Sequence, residues 1–259
     1  MMETMTRHPY PVSHVIAEFF GTALLLAIGL SVVILDFGAG SPIVRLLPSD
    51  ALRRLITGFL FGSTGALIAV SPLGKISGAH INPIVTLAFL IEGKIRARHA
   101  AGYFVAQLTG AVAGCVPLLV WGPIGRSVAF GSTIPGVQFP VWLAVAGEVA
   151  TTFALVILLL VFLGHTKIRS FTPLTLPVLY AIMVYLEAPL SGTSTNPARS
   201  LGPAVIASEW KLWWVYWLGP VLGALIAVVV HRRTWLRRLE VDVAKLYHFE
   251  HDPHGVFRR

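Results

Sequence analysis

Six apolar stretches, roughly residues 14–35, 55–73, 100–121, 141–163, 173–190 and 212–231, decide what this chain can fold into. Each is close to the ~20 residues that an α-helix needs to cross a hydrocarbon layer. That layer holds no water to satisfy peptide N–H and C=O groups, so a crossing segment must be a self-bonded helix or a strand of a closed barrel. Their length reads as spanning helices, and the expected fold is all-α. Charged residues make up 12% of the 259, about half the ~25% of a soluble domain, so the solvent for most of the chain is lipid. Gly40-Ser41-Pro42, Gly122-Pro123 and His165-Thr166-Lys167-Ile168-Arg169 separate the stretches. The first stretch lacks a clear small-x-small cleavage site, so it reads as a retained helix.

Two more apolar segments, Asn82 to Ile91 and Asn196 to Ala207, are too short to cross. At ~1.5 Å per residue they reach about half a bilayer. Each opens with Asn-Pro: Asn is a preferred N-cap, and proline suits a first turn whose N–H is unpaired anyway. Asn82-Pro83 and Asn196-Pro197 therefore predict two re-entrant half-helices.

The chain also carries a duplication. Ala17-Glu18-Phe19-Phe20-Gly21-Thr22 resembles Gly147-Glu148-Val149-Ala150-Thr151-Thr152, and Ser77-Gly78-Ala79-His80-Ile81-Asn82-Pro83 resembles Ser191-Gly192-Thr193-Ser194-Thr195-Asn196-Pro197. Gly110/Gly114 and Gly219/Gly223 repeat a Gly-x-x-x-Gly spacing that lets helices pack closely. Three crossings per copy is an odd number, so the second copy, about 140–233, must lie inverted to the first, about 12–122. Paired short segments at matching positions point to the transport site.

Lys and Arg set the orientation. With the N-terminus inside, the inner side receives Arg7, Lys75, Lys94, Arg96, Arg98, Lys167, Arg169, Arg232, Arg233, Arg237 and Arg238. The outer side receives Arg45, Arg53, Arg54, Arg126, Arg199 and Lys211. This bias places both termini in the cytoplasm of an inner or plasma membrane. The net charge of +8 then follows membrane topology and does not argue for nucleic acid. Residues 1–235 form one expected channel domain and 236–259 a polar, solvated tail. Its His248, His251 and His254 are interrupted by Pro253, so no metal site is expected there. Cys115, the lone cysteine, lies in an apolar run and behaves as a small hydrophobe. No nucleophile–base pair, metal box or phosphate loop suggests an enzyme, and no cofactor is expected.

Half-helices entering from opposite sides would bring Asn82 and Asn196 together near the midplane. Each helix N-terminus carries roughly half a positive charge, so two of them facing one path oppose cations, hydronium included. The two amides remain as donors to a water oxygen.

At this point the sequence resembles the aquaporin family (major intrinsic proteins). SGAHINP and SGTSTNPARS, with AEFFGT near the start and YWLGP in the last stretch, carry the likeness over about residues 12–233. The resemblance implies six helices and two half-helices around one pore per subunit, usually with four subunits together. It implies passage of water and small uncharged solutes, with protons and ions excluded. Asn82 and Asn196 correspond to the midplane asparagines, supported by Pro83, Ile84, Pro197 and Ala198. Arg199, Thr193 and Val184 correspond to the outer selectivity filter; its fourth member is Phe61, or Gly62 if the register shifts by one.

Two departures matter. A histidine commonly stands at the Val184 position in strict water channels, and Ala at the Ile84 position. Losing the imidazole widens the filter, whereas the bulkier Ile is expected to narrow or shift the midplane. Ser200, Ala204, Tyr216 and Trp217 resemble the water-selective branch, whereas glycerol conductors commonly carry Asp at the Ser200 position. A facilitator of glycerol and similar neutral solutes is therefore the second reading. A proton-coupled secondary transporter is the third, because Glu18 and Glu148 are acids within crossing segments, where a charge by default marks function. Their matched placement favours bracing of the loops before the half-helices, with His80 as a structural partner there. Glu187 is expected either to wall the vestibule or to hold a hydrogen bond. Trp210, Trp213 and Trp214 read as interfacial anchors.

Overall fold

The computed structural model describes residues 12–257, and helices carry the chain as far as Arg238. The long ones are α1 (Val12–Phe37), α2 (Asp50–Val70), α4 (Ala97–Cys115), α5 (Val141–Gly164), α6 (Thr172–Ser191) and α8 (Val215–Arg233). Between them lie the short α3 (Pro83–Ile91) and α7 (Pro197–Ala207). Five of the long helices are long and apolar enough to cross a membrane on length and composition alone. The remaining one, α2, has 21 residues and carries Asp50, Arg53 and Arg54 at one end. Arg53 folds back onto Asp50 and the Leu47 carbonyl, so its charge is paired and hydrogen-bonded where it is buried.

Local chemistry explains the boundaries. Ser49 caps α2, its hydroxyl accepting the Leu52 N–H at 3.3 Å. The helix stops at Val70, short of the expected residue 73, because Pro72 cannot donate into it. Ser71 instead caps a separate short helix, Pro72–Ser77, accepting the Leu73 N–H at 3.2 Å. After α4, Pro117 tightens the chain into a 3-10 segment, Val116–Trp121.

The helices are inside-out relative to a soluble protein. On α1, Ala17, Glu18, Gly21, Thr22 and Leu25 face the interior, while Ile16, Phe20, Leu24 and Ile28 form an exposed row one turn apart. Polar groups thus collect in the bundle and apolar side chains meet the lipid.

Small residues set the helix separations. A Cβ at Gly114 of α4 would collide with the Ala23 carbonyl of α1. One at Gly223 of α8 would stand 2.5 Å from the Val149 carbonyl of α5. Each repeat therefore closes its first helix against its third through the same spacing, and without water driving apolar association this close backbone packing is what holds such pairs together.

The tail departs from expectation. Residues 236–257 are only partly solvated: Arg237, Arg238, Glu240, Asp242 and Glu250 are exposed, but Val241, Val243, Ala244, Leu246, Val256 and Phe257 are buried, and so is Lys245. These residues are spaced so that the segment folds back onto the bundle and covers them. His248, His251 and His254 point to different places. The ring of His248 meets the Val70 carbonyl at 2.8 Å, and that of His254 packs edge-on to His14 at 5.6 Å.

Candidate functional site

The two loops that lead into α3 and α7 have one backbone, built twice. Gly78, Ala79 and Ile81 have φ of 85°, 56° and 41°, and Gly192, Thr193 and Thr195 have 90°, 52° and 52°. Non-glycine residues in the left-handed region are strained by about 1–2 kcal/mol each, so the surroundings must hold these loops in place. They do so through a carboxylate in each repeat. Glu18 Oε1 accepts from Ser77 Oγ (2.7 Å) and the His80 N–H (2.9 Å); Oε2 accepts from the Ile81 N–H (2.7 Å) and Gln107 Nε2 (2.7 Å). Glu148 Oε1 accepts from Ser191 Oγ (2.6 Å) and the Ser194 N–H (2.7 Å), and Oε2 from the Thr195 N–H (2.8 Å). Tyr103 and Tyr216 complete the correspondence by donating to the Ser77 and Ser191 carbonyls, each at 2.7 Å. A carboxylate has about four acceptor positions. Glu18 uses all four on donors, which suits a brace and leaves no position for relaying a proton.

Held this way, the short helices meet N-terminus to N-terminus. Asn82 Oδ1 caps α3 by accepting the Ile84 N–H at 2.8 Å, and its Nδ2 donates across to the Thr195 carbonyl at 3.0 Å. Asn196 Oδ1 caps α7, accepting the Ala198 and Arg199 N–H groups at 3.0 and 3.3 Å. Its Nδ2 donates back to the Ile81 carbonyl at 3.0 Å. An amide nitrogen has two hydrogens, so each asparagine keeps one beyond the crossing bond. Both side chains line a narrow central cavity of about 40 Å³.

A wider cavity of about 240 Å³ opens on the other side of the asparagines, away from the tail. Phe61, Val184, Thr193 and Arg199 all line it. Arg199 is buried, donates Nη1 to the Gly131 carbonyl at 2.7 Å and lies 5.9 Å from the Phe61 ring centre. Thr193 turns its hydroxyl to the Glu187 carboxylate, so Glu187 is a hydrogen bonder beneath the cavity wall. Gly62 lies deeper: it lines the central cavity, and its Cα faces the Leu176 backbone.

Other residues singled out in the sequence fall elsewhere. Ile84 is buried in the packed core, while its neighbour Val85 lines the central cavity. The expected narrowing by Ile84 is thus not seen, because the first turn of α3 directs that side chain away from the path. His80 lines the cavity, and its ring bonds Thr86 Oγ1 (3.1 Å) and the Ala244 carbonyl of the tail (2.9 Å); the Glu18 carboxylate takes only its backbone N–H. Trp210, Trp213 and Trp214 stand half-exposed at the beginning of α8.

Four participants escaped the sequence reading. Gln107 is the fourth donor to Glu18, and the Gly131 carbonyl fixes Arg199. Tyr180 lines both cavities, stacked 6.1 Å from Phe61, with its hydroxyl 3.0 Å from Thr195 Oγ1. Leu246, from the tail, lines the end of the central cavity opposite the wide one. A glutamine and a tyrosine inside apolar stretches were the available signals for Gln107 and Tyr180.

Fold and site together define a multi-pass membrane protein with a narrow path between two inverted halves. The chain belongs to the major intrinsic protein family, whose model matches residues 5–231. Aquaporin NIP1-1 of Zea mays is 34% identical over 216 residues, covering 83% of this chain and 72% of that one. The lens fiber major intrinsic protein of Gallus gallus is 33% identical over 227 residues, covering 84% and 79%. Among solved structures, the aquaglyceroporin from Plasmodium falciparum matches with a TM-score of 0.70 at 20% identity, covering 88% of this chain and 98% of that one.

Proposed function

We propose that the chain is a passive channel for water, with slower passage of small neutral solutes, and that protons and ions are excluded. The observation that carries this reading is the reciprocal crossing of Asn82 and Asn196 at two opposed helix starts inside one cavity. Both positive helix ends face the path, where they oppose a cation. The amide hydrogens left over offer a water oxygen two donors at the midplane, which turns the molecule there and interrupts a chain of hydrogen bonds along which a proton could hop.

Size argues for water. One water needs about 10–15 Å³ of such space, so the central 40 Å³ takes a short file of waters and is tight for glycerol. The filter role of Phe61, Val184, Thr193 and Arg199 is supported by their shared cavity, and Tyr180 with Phe61 adds a waist between it and the asparagines. Val184 leaves that filter more apolar than an imidazole would, which favours some leak of neutral solutes.

Several further elements belong to this reading. Pro83, Pro197 and Ala198 start the half-helices, Glu18 and Glu148 brace them, and passage involves no bond making or breaking. The face carrying the start of α1 and the tail is cytoplasmic, in an inner or plasma membrane. Four copies associate through exposed apolar faces, as the family resemblance implies. The test is stopped-flow light scattering on proteoliposomes, with Arg199→Val beside the wild type. Water flux above that of empty vesicles, modest glycerol flux, no proton leak and weaker discrimination in the variant are expected. Wild-type flux equal to that of empty vesicles, in every form of the protein, would overturn the reading.

A further inference from the structure

The central cavity ends on a residue from the far end of the chain. Leu246 is the one described residue beyond α8 that lines it, 4% exposed, with its N–H donated to the Gly78 carbonyl at 3.0 Å. Gly78 belongs to the loop that leads into α3. Its carbonyl is therefore taken by the tail. Two residues earlier, the Ala244 carbonyl holds the ring of His80, itself a cavity wall.

The segment that delivers Leu246 is built to sit there. Lys245 Nζ donates to the Lys75 carbonyl on the bundle (2.5 Å) and to the His251 carbonyl on the returning limb of the tail (2.7 Å). Asp252 turns that limb by accepting the Val256 and Phe257 N–H groups at 2.9 and 3.1 Å. The Ala244 N–H closes it onto the Phe257 carbonyl at 3.1 Å. The Phe257 ring is fully buried, edge-on to His14 of α1 at 5.3 Å. At the rim, Arg169 reaches Asp242 (3.5 Å) and Glu250 (3.4 Å), both carboxylates being mostly exposed. Such pairs are weak and salt-screened, so the rim holds loosely and apolar burial does most of the holding.

Leucine offers no hydrogen bond to a water leaving the cavity, and Leu246 stands on the wall at that end. We propose that the inner mouth of the path, formed by Lys75, Gly78, His80 and His14, is a docking surface for the chain's own residues 241–257, and that the docked segment closes the path with Leu246. Flux then follows the fraction of molecules whose tail has left. This inference rests on the reading of the chain as a channel.

The test uses the full-length protein in proteoliposomes, as wild type, Leu246→Gly and Phe257→Ala. Osmotic water flux is measured beside amide hydrogen exchange over residues 240–257. Phe257 does not itself line the path, although its ring packs on His14 and lies 6.4 Å from that of His80, so its variant loosens the tail without replacing a lining residue. The wild-type tail amides should exchange slowly, and both variants should conduct at least about threefold faster than wild type, because flux tracks the undocked population. Equal, brisk flux in all three proteins would overturn the stopper and leave the channel standing, as would rapid exchange of the wild-type tail. Protected tail amides with no conduction above empty vesicles in any of the three would overturn the channel reading, and the stopper with it.

Discussion

Replacing each bracing carboxylate by its amide should separate a brace from a proton relay. Glutamine keeps one acceptor oxygen and presents an NH₂ where the second oxygen stood. In Glu18→Gln the NH₂ can take the Oε1 place, where the Ser77 hydroxyl can turn to accept from it and only the His80 N–H loses its acceptor. In Glu148→Gln the NH₂ can take the Oε2 place, where only the Thr195 N–H loses its acceptor. A buried donor left without a partner costs about 1–3 kcal/mol, which is the destabilisation expected of each variant. The assay is thermal unfolding of detergent-solubilised protein, with water flux of each variant measured between pH 5 and 8. Flux should keep its wild-type pH profile in both variants. Variants as stable as the wild type, or an altered pH profile in either, would refute the bracing argument.

Other outcomes follow from the same geometry. Tyr180→Ala should join the two cavities and raise glycerol flux more than water flux, read by proteoliposome swelling in each solute. Gly114→Val should push α1 from α4 and lower the unfolding temperature, since overpacking costs about 1–3 kcal/mol. Burial draws Lys245 down from 10.5 to about 8, with Asp252 opposing the shift and Lys75 adding to it. The docked tail thus sheds its proton at lower pH than the free tail and gains stability between pH 8 and 10.5. Wild-type water flux should fall across that window, and Lys245→Met should lose the fall.

What could be read from the sequence was the chemistry that acts over a few residues. Asn82-Pro83 and Asn196-Pro197 announce their helix starts because capping and a fixed φ are local, and Glu18 and Glu148 stand out because a carboxylate in an apolar stretch needs partners. Phe61 and Arg199 could be aligned through the family resemblance, and the structure sets both on the wall of one cavity. The partners were harder. The Gly131 carbonyl meets Arg199 across 68 residues, and nothing in either segment advertises the other. The register of Ile84 against Val85 depends on how the first turn of α3 is rotated, which the cap geometry decides. The burial of the tail is not legible in the sequence because Val241-Asp242-Val243-Ala244-Lys245-Leu246 alternates apolar and charged residues in short steps. Averaged over a window it looks solvated, though its apolar members are enough to cover a small concave surface.

The crossed amides also bear on the coupled transporter that the two buried acids first suggested. Alternating access requires one repeat to rock against the other around a fixed site. Here each asparagine is anchored in its own helix start and stitched to the backbone of the opposite repeat, so any rocking would tear both stitches at the pivot. A protein that cannot rock has no turnover cycle to saturate. With the mouth open, its throughput is paced by the solute's own mobility, and flux should rise in proportion to the driving gradient with only the shallow temperature dependence of diffusion in water.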